Sequence, residues 1–204
     1  MSPLSDSSLP GDPRVGLDVT PWDAEAHDLF RLSQLILLLS AATDVMKPVP
    51  NLDRLGYYDF FAANPFVVIP ADGTTRDYND RLELKLAGFT EDQLSYASTG
   101  QRWVSRRRRL QHDLALLVAY GLVSLHGGTI ALTEKGCALG NDMSTVYADA
   151  YRTSARVVVR RLAQLSDARL RANVQNWLGT SWLQVDLFDD VTRESGTIQG
   201  EAAR

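Results

Sequence analysis

The stretch from Trp103 to Thr133, WVSRRRRLQHDLALLVAYGLVSLHGGTIALT, constrains this chain more than any other. Leu110, Leu114, Leu117 and Val118 recur at the spacing of one buried helical face, and Tyr120-Gly121 ends that run. The period then changes to two. Val123 and Leu125 precede Gly127-Gly128, and Ile130 and Leu132 follow it, the pattern of a tight antiparallel hairpin. A helix that leads straight into a hairpin predicts the second half of a winged helix-turn-helix. Such a unit lays one helix against DNA or against a protein.

The flanking sequence supplies helices for the rest of a mainly α (α+β) chain. Thr20-Pro21-Trp22-Asp23 has the residue types of a helix start, and Leu29, Leu32, Ile36 and Leu39 follow at helical spacing, with Leu35 and Leu38 widening the apolar stripe. Asn51 predicts the cap of a second helix, Leu52 to Ala63, which Asn64-Pro65 stops. Phe66 to Ile69 reads as a strand or extended segment and residues 71–80 as a polar loop. Residues 81–87 fit helix and strand equally, and Thr90-Glu91-Asp92-Gln93 has a cap-like start for a short helix. Residues 64–102 thus form an insertion ahead of the arginine-rich helix. Thr133-Glu134 starts another helix, Ser144 to Leu165 is the longest periodic run, and Ser166-Asp167 opens one more. The expected organisation is a flexible tail (1–19), a winged-helix-like domain (20–143) with its insertion, a C-terminal helical extension (144–188) and a disordered tail (189–204).

Charge is distributed unevenly. The 204 residues carry a net charge of -4, yet residues 1–28 hold six acids against Arg14, and five arginines fall within 102–109. Acidic ends around two basic helices make a directional field for an acidic partner, nucleic acid or protein. On a helix, Arg106 to Arg109 point about 100° apart, so they cannot share one partner. Arg102, Arg106 and Arg109 are expected on an exposed face, with Asp113 pairing Arg109 one turn on. Arg102, Arg106, Arg108 and Arg109 are the candidate contacts to DNA phosphates or to carboxylates of a partner. Tyr151, Ala155, Val158 and Leu162 belong to a seam suited to packing along another helix, in this chain or in a partner.

Enzymatic signals are sparse. The chain has no GxxxxGK[ST] loop, no GxGxxG after a strand, no HExxH and no GxSxG. His27, His112 and His126 are far apart, and Cys137 is the one cysteine, so neither a metal site nor a disulfide is expected, and a reducing cytoplasm is the expected compartment. No apolar run is long enough for a membrane span, and residues 1–16 lack the pattern of a secretory signal. One weak pattern remains: Asp77 or Asp80 followed by Glu83 and Lys85, a carboxylate plus E-x-K arrangement that holds Mg²⁺ in some nucleases. Three-residue patterns of common residues arise often by chance, and solvated side chains on one face are the preferred explanation.

Three stretches in order carry a family resemblance: LFRLSQLILLLSAATDVMKPVPNLDRLGYYDFFAANPF, SRRRRLQHDLALLVAYGLVSLHGGTIALTEKG and YADAYRTSARVVVRRL. Together they resemble the middle components of ABC-three-component systems, relatives of the Lamassu anti-phage defence systems, over about residues 28–165. The resemblance implies a non-enzymatic, cytoplasmic subunit of a hetero-oligomer. It would join an SMC-like or Rad50-like ABC ATPase to an effector, often a nuclease, with DNA contact possible. ATP and any catalytic metal would belong to those partners, and this chain would hold no cofactor. Two rival expectations stand beside it: a free-standing winged-helix transcription regulator, and a small metal-dependent nuclease using Glu83 and Lys85.

Overall fold

Five consecutive side chains, Leu35 to Leu39, are buried, which a helix achieves only when other elements cover it on every side. That helix, α1 (Asp28–Val45), is the centre of the fold. The structure is a computed structural model and describes residues 24–45, 48–91 and 99–178, with the backbone alone at residues 25 and 99–102. The other described elements are α2 (Leu52–Ala63), α3 (Thr75–Leu86), α4 (Thr99–Ala119), β1 (Val123–His126), β2 (Thr129–Leu132), α5 (Glu134–Asp142), α6 (Val146–Leu162) and α7 (Asp167–Leu178). The chain is therefore mainly helical with one two-stranded sheet among the described residues.

α6 is the second central helix. Val157, Val158 and Val159 are all buried, and it packs along α1 and α2. Tyr151, Ala155, Val158 and Leu162 lie at most 1% exposed. This corrects the partner-packing option for those four residues: helices of the same chain already fill their seam. Thr145 caps α6 by accepting from Ala148 N at 3.1 Å, so the helix starts two residues later than Ser144.

The first half of the chain departs from expectation in several places. The Thr20–Asp23 start lies outside the described residues. A 3-10 turn at Ala24–Ala26 precedes α1, and Leu29, expected on the buried stripe, is exposed because the first turn of α1 extends past the core. α2 begins as expected, with the Asn51 side chain accepting from Arg54 N at 2.8 Å. Residues 65–68 form a 3-10 turn rather than a strand. The polar stretch 71–80 is half helix: Thr74 and Asp77 make a reciprocal capping box that starts α3. Residues 81–86 continue that helix, with Leu84 buried and Leu82 and Leu86 exposed on the other side. The expected short helix at 90–93 falls mostly outside the described residues, as do the C-terminal apolar patch at 182–188 and both tails.

The helix-to-hairpin unit forms as its periodicity predicts. Val123 pairs with Leu132 and His126 with Thr129, around Gly127 and Gly128, both at positive φ. Val49, between α1 and α2, joins this sheet by a two-way exchange with Ile130, at 3.0 and 2.8 Å. β2 is thereby flanked on both edges at that point. Thr133 accepts from Gly136 N to start α5.

Gly136 sets a tight junction between α5 and the end of α4. A Cβ there would stand 2.1 Å from the Leu122 carbonyl oxygen, which already accepts from Thr133 N. Helix propensity alone favours alanine by about 1 kcal/mol. Gly136→Ala is nevertheless expected to cost about 1–3 kcal/mol of stability through overpacking, measured by urea unfolding. A neutral or stabilising result would show that the junction gives way.

Candidate functional site: the arginine helix

α4 carries two sets of charges that its sequence does not separate. Trp103, Arg106, Leu110, Asp113 and Leu117 follow one another at 3, 4, 3, 4 spacing, the seam of a buried helix face, and all five are buried. Trp103 stacks on Tyr57 with ring centroids 5.2 Å apart and meets Phe60 edge-on at 5.5 Å.

Arg106, 8% exposed, points into the fold. Its Nε donates to Asp59 Oδ2 at 2.6 Å and its Nη2 to Asp59 Oδ1 at 3.1 Å, a two-pronged ion pair. Nη2 also donates to Gln34 Oε1 at 2.8 Å, and Gln34 Nε2 donates to the Tyr147 hydroxyl at 2.6 Å. One arginine thus links α4 to α2, to α1 and, through Gln34, to α6. Asp113 accepts from Arg31 Nε at 2.7 Å and from Arg31 Nη2 at 2.9 Å. Asp113, and after it Asp28, raise the Arg31 guanidinium above its ordinary value although burial pulls the other way.

Two expectations are corrected here. Arg106 does not share an exposed face with Arg109, because its position falls on the Trp103–Leu110 line. Asp113 pairs with Arg31, not Arg109, for the same reason. Arg107 reaches Asp53 at 3.2 Å and lies over the Trp103 ring, 6.0 Å from its centroid. Arg109 is half-buried and donates from Nε to Ser105 O at 3.2 Å. Arg108 is exposed. Arg102 is on α4, but its side chain is not among those described. Of the three candidates with described side chains, Arg108 and part of Arg109 reach the surface. They share the outward face with Ser105, Gln111, His112, Ala115 and Val118.

The acid-and-lysine pattern of α3 has a structural use as well. Arg161 donates to Asp77 and, at 2.5 Å, to Asp80, while Arg160 donates to Asp80 at 2.8 Å and Glu83 at 3.5 Å. Lys85 and Arg81 both meet Glu91, at 2.7 and 2.5 Å. Arg161, then Thr74, lower the Asp77 carboxyl to about 2. The carboxylates that a Mg²⁺ site would need hold α3 to α6. No group of three or more potential ligands is gathered among the described residues. A further clamp lies just beyond the same C-terminal end of α6: Arg54 meets Asp167 at 2.5 Å and the Tyr58 hydroxyl at 3.0 Å, and donates to the Leu165 carbonyl. Arg31, Gln34 and Asp59 were missed as polar members of the core. Part of their signal was present: Arg31 and Gln34 stand one turn and one residue ahead of the apolar run Leu35 to Leu39, on a helix covered on every side.

No helix among the described residues is long and apolar enough to cross a membrane. In comparisons with known proteins the chain matches no family model, no curated protein and no solved structure.

Truncating Arg106 leaves the Asp59 charge buried without its partner. Arg106→Ala is expected to cost about 3–5 kcal/mol, whereas Arg108→Ala should stay within about 0.5 kcal/mol of the parent. Urea titration of both variants checks the contrast, and equal effects would contradict the assignment. The α3–α6 clamp has its own signature. The folded-state value of Asp77 is depressed, so its contribution is complete above the ordinary value of 3.8 and is lost as pH falls through about 2. Asp77→Asn should remove that part of the acid dependence, read as a shallower loss of Tm between about pH 4 and pH 2.

Proposed function

We propose that this chain is a winged-helix assembly subunit without catalytic activity, which docks a larger acidic protein partner through the outward face of α4. The observation that carries the reading is the return of Val49 to pair with Ile130. It makes the order helix, single strand residue, helix, inserted helix, helix and hairpin, with the hairpin's inner strand tied back to the chain between the first two helices. That order supports reading the chain as a winged helix-turn-helix with α4 as its third core helix and α3 inserted ahead of it.

The composition of the α4 face supports a protein over DNA. A helix that reads DNA presents cations along its length to phosphates and base edges. On α4 the outward cations sit near the N-terminal end, and Ala115, Val118 and Tyr120 follow. Tyr120 and Leu125, both exposed, extend that face toward the hairpin. An arginine beside exposed aromatic and aliphatic groups is the composition of a protein interface. Arg106 and Asp113, which would have added to a charged surface, are used inside the fold.

The larger setting rests on the sequence resemblance. A middle component of an ABC-three-component, Lamassu-type anti-phage system would link an SMC-like or Rad50-like ATPase to an effector and transmit the ATPase's engagement with DNA. The chain would work in the cytoplasm, and the nucleotide and any catalytic metal would be bound by its partners. The winged-helix order also suits a free-standing transcription regulator, which has to be separated by experiment.

Purification of the tagged chain expressed with its native gene neighbours is expected to bring down a coiled-coil ATPase and a second subunit. Arg108→Glu should weaken that association at least tenfold with the Tm unchanged. Elution alone, as a symmetric dimer that shifts a defined DNA site, would replace the assembly reading with the regulator.

A further inference from the structure

α3 is anchored on one side and open on the other. Leu84, Asp77 and Asp80 face the fold. Tyr78 (66% exposed), Leu82 (43%) and Leu86 (81%) stand at i, i+4 and i+8 on the opposite face. That spacing makes a continuous apolar seam. An uncovered seam of this kind favours association with something apolar. Beside it lies an open cavity of about 360 Å³ lined by Ala71, Tyr78, Arg81, Leu82, Lys85 and Glu91. Two cations on its wall, Arg81 and Lys85, share the carboxylate of Glu91. The occupant that suits this site is apolar and carries carboxylates.

We propose that Trp182–Asp190 of this same chain is that occupant. The segment WLQVDLFDD has five apolar side chains and three aspartates and no basic residue. Its point of departure is suitably placed. α7 ends at Leu178, and Trp177 meets Phe61 of α2 edge-on at 5.4 Å. The chain beyond Phe61 turns through Asn64 into the 3-10 turn that carries Phe66, and Arg81 of the cavity wall lies 5.0 Å over the Phe66 ring. Ten residues separate Leu178 from Phe188, a reach of up to about 33 Å in extended form. The N-terminal residues enter α1 near Phe30, which packs on Tyr147 at the start of α6, whereas α3 is clamped by Arg160 and Arg161 near its end. Those two ends of α6 are about 20 Å apart at 1.5 Å per residue. Leu187 and Phe188 would enter the cavity beside Tyr78 and Leu82, and Asp189 and Asp190 would face Lys85.

A disulfide trap in the full-length chain tests this. In a Cys137→Ser background, Leu82→Cys is combined either with Leu187→Cys or with Thr197→Cys, and each protein is mildly oxidised. The expected result is an intramolecular disulfide, seen as a fast-running monomer without reductant, forming at least tenfold faster with Leu187→Cys than with Thr197→Cys. Lys85→Glu should slow the first and leave the second unchanged. Equal rates for the two pairs, or no disulfide at all, would overturn the proposal. So would a disulfide between two chains whose rate rises with protein concentration, which would make a second copy the occupant.

Discussion

The packing of α4 depends on two buried arginine–aspartate pairs, Arg106 with Asp59 and Arg31 with Asp113, because each places one member on that helix. Taking such charges out of water costs several kcal/mol per ion, and the cost is recovered only when the geometry is close and both prongs are satisfied. Both pairs meet that requirement, with both carboxylate oxygens of Asp59 and of Asp113 engaged. An apolar seam tolerates sliding by a turn. A two-pronged ion pair does not, since a displaced α4 would break both pairs and take from the Asp59 and Asp113 carboxylates their arginines. The pairs therefore set the rotation and register of α4 against α1 and α2, and through Gln34 and Tyr147 against α6.

That register decides which arginines reach the surface. Once Arg106 and Asp113 are turned inward, helix geometry alone turns Arg108 outward, with Gln111, His112 and Ala115 on the same side. The arginine block thus divides its work between neighbours in sequence. Position 106 builds the fold, position 107 meets Asp53 at the edge of α2, and position 108 faces outward. The same economy recurs on α3, where Asp77 and Asp80 hold the element while Tyr78 and Leu82, one and two positions away, face out.

Much of this fold was legible from periodicity and caps. The α4 helix, the Gly-Gly hairpin, the Asn51 cap and the Asn64-Pro65 stop are local signals, and local physics decides them. The misreadings on α4 have one common source, the assumption that charge means solvent. Arg106 and Asp113 lay on the 3, 4, 3, 4 line of Trp103, Leu110 and Leu117, but their partners are 47 and 82 residues away. A single sequence does not reveal pairings over that distance. The capping box of Thr74 and Asp77 was legible and hidden only by the polarity of its surroundings. The seam of Tyr151, Ala155, Val158 and Leu162 was read correctly as a helix-packing face, and the choice between a partner in this chain and one outside it required the tertiary contacts of α1 and α2.

The most direct test of this account is a double-mutant cycle on Arg106 and Asp59, with Arg106→Ala, Asp59→Ala and the double variant unfolded in urea. The account predicts a coupling of about 2 kcal/mol or more, with the double variant less destabilised than the two single losses together. A coupling below about 0.5 kcal/mol, the size found for an exposed ion pair, would contradict it and return Arg106 to the surface as a ligand-binding residue.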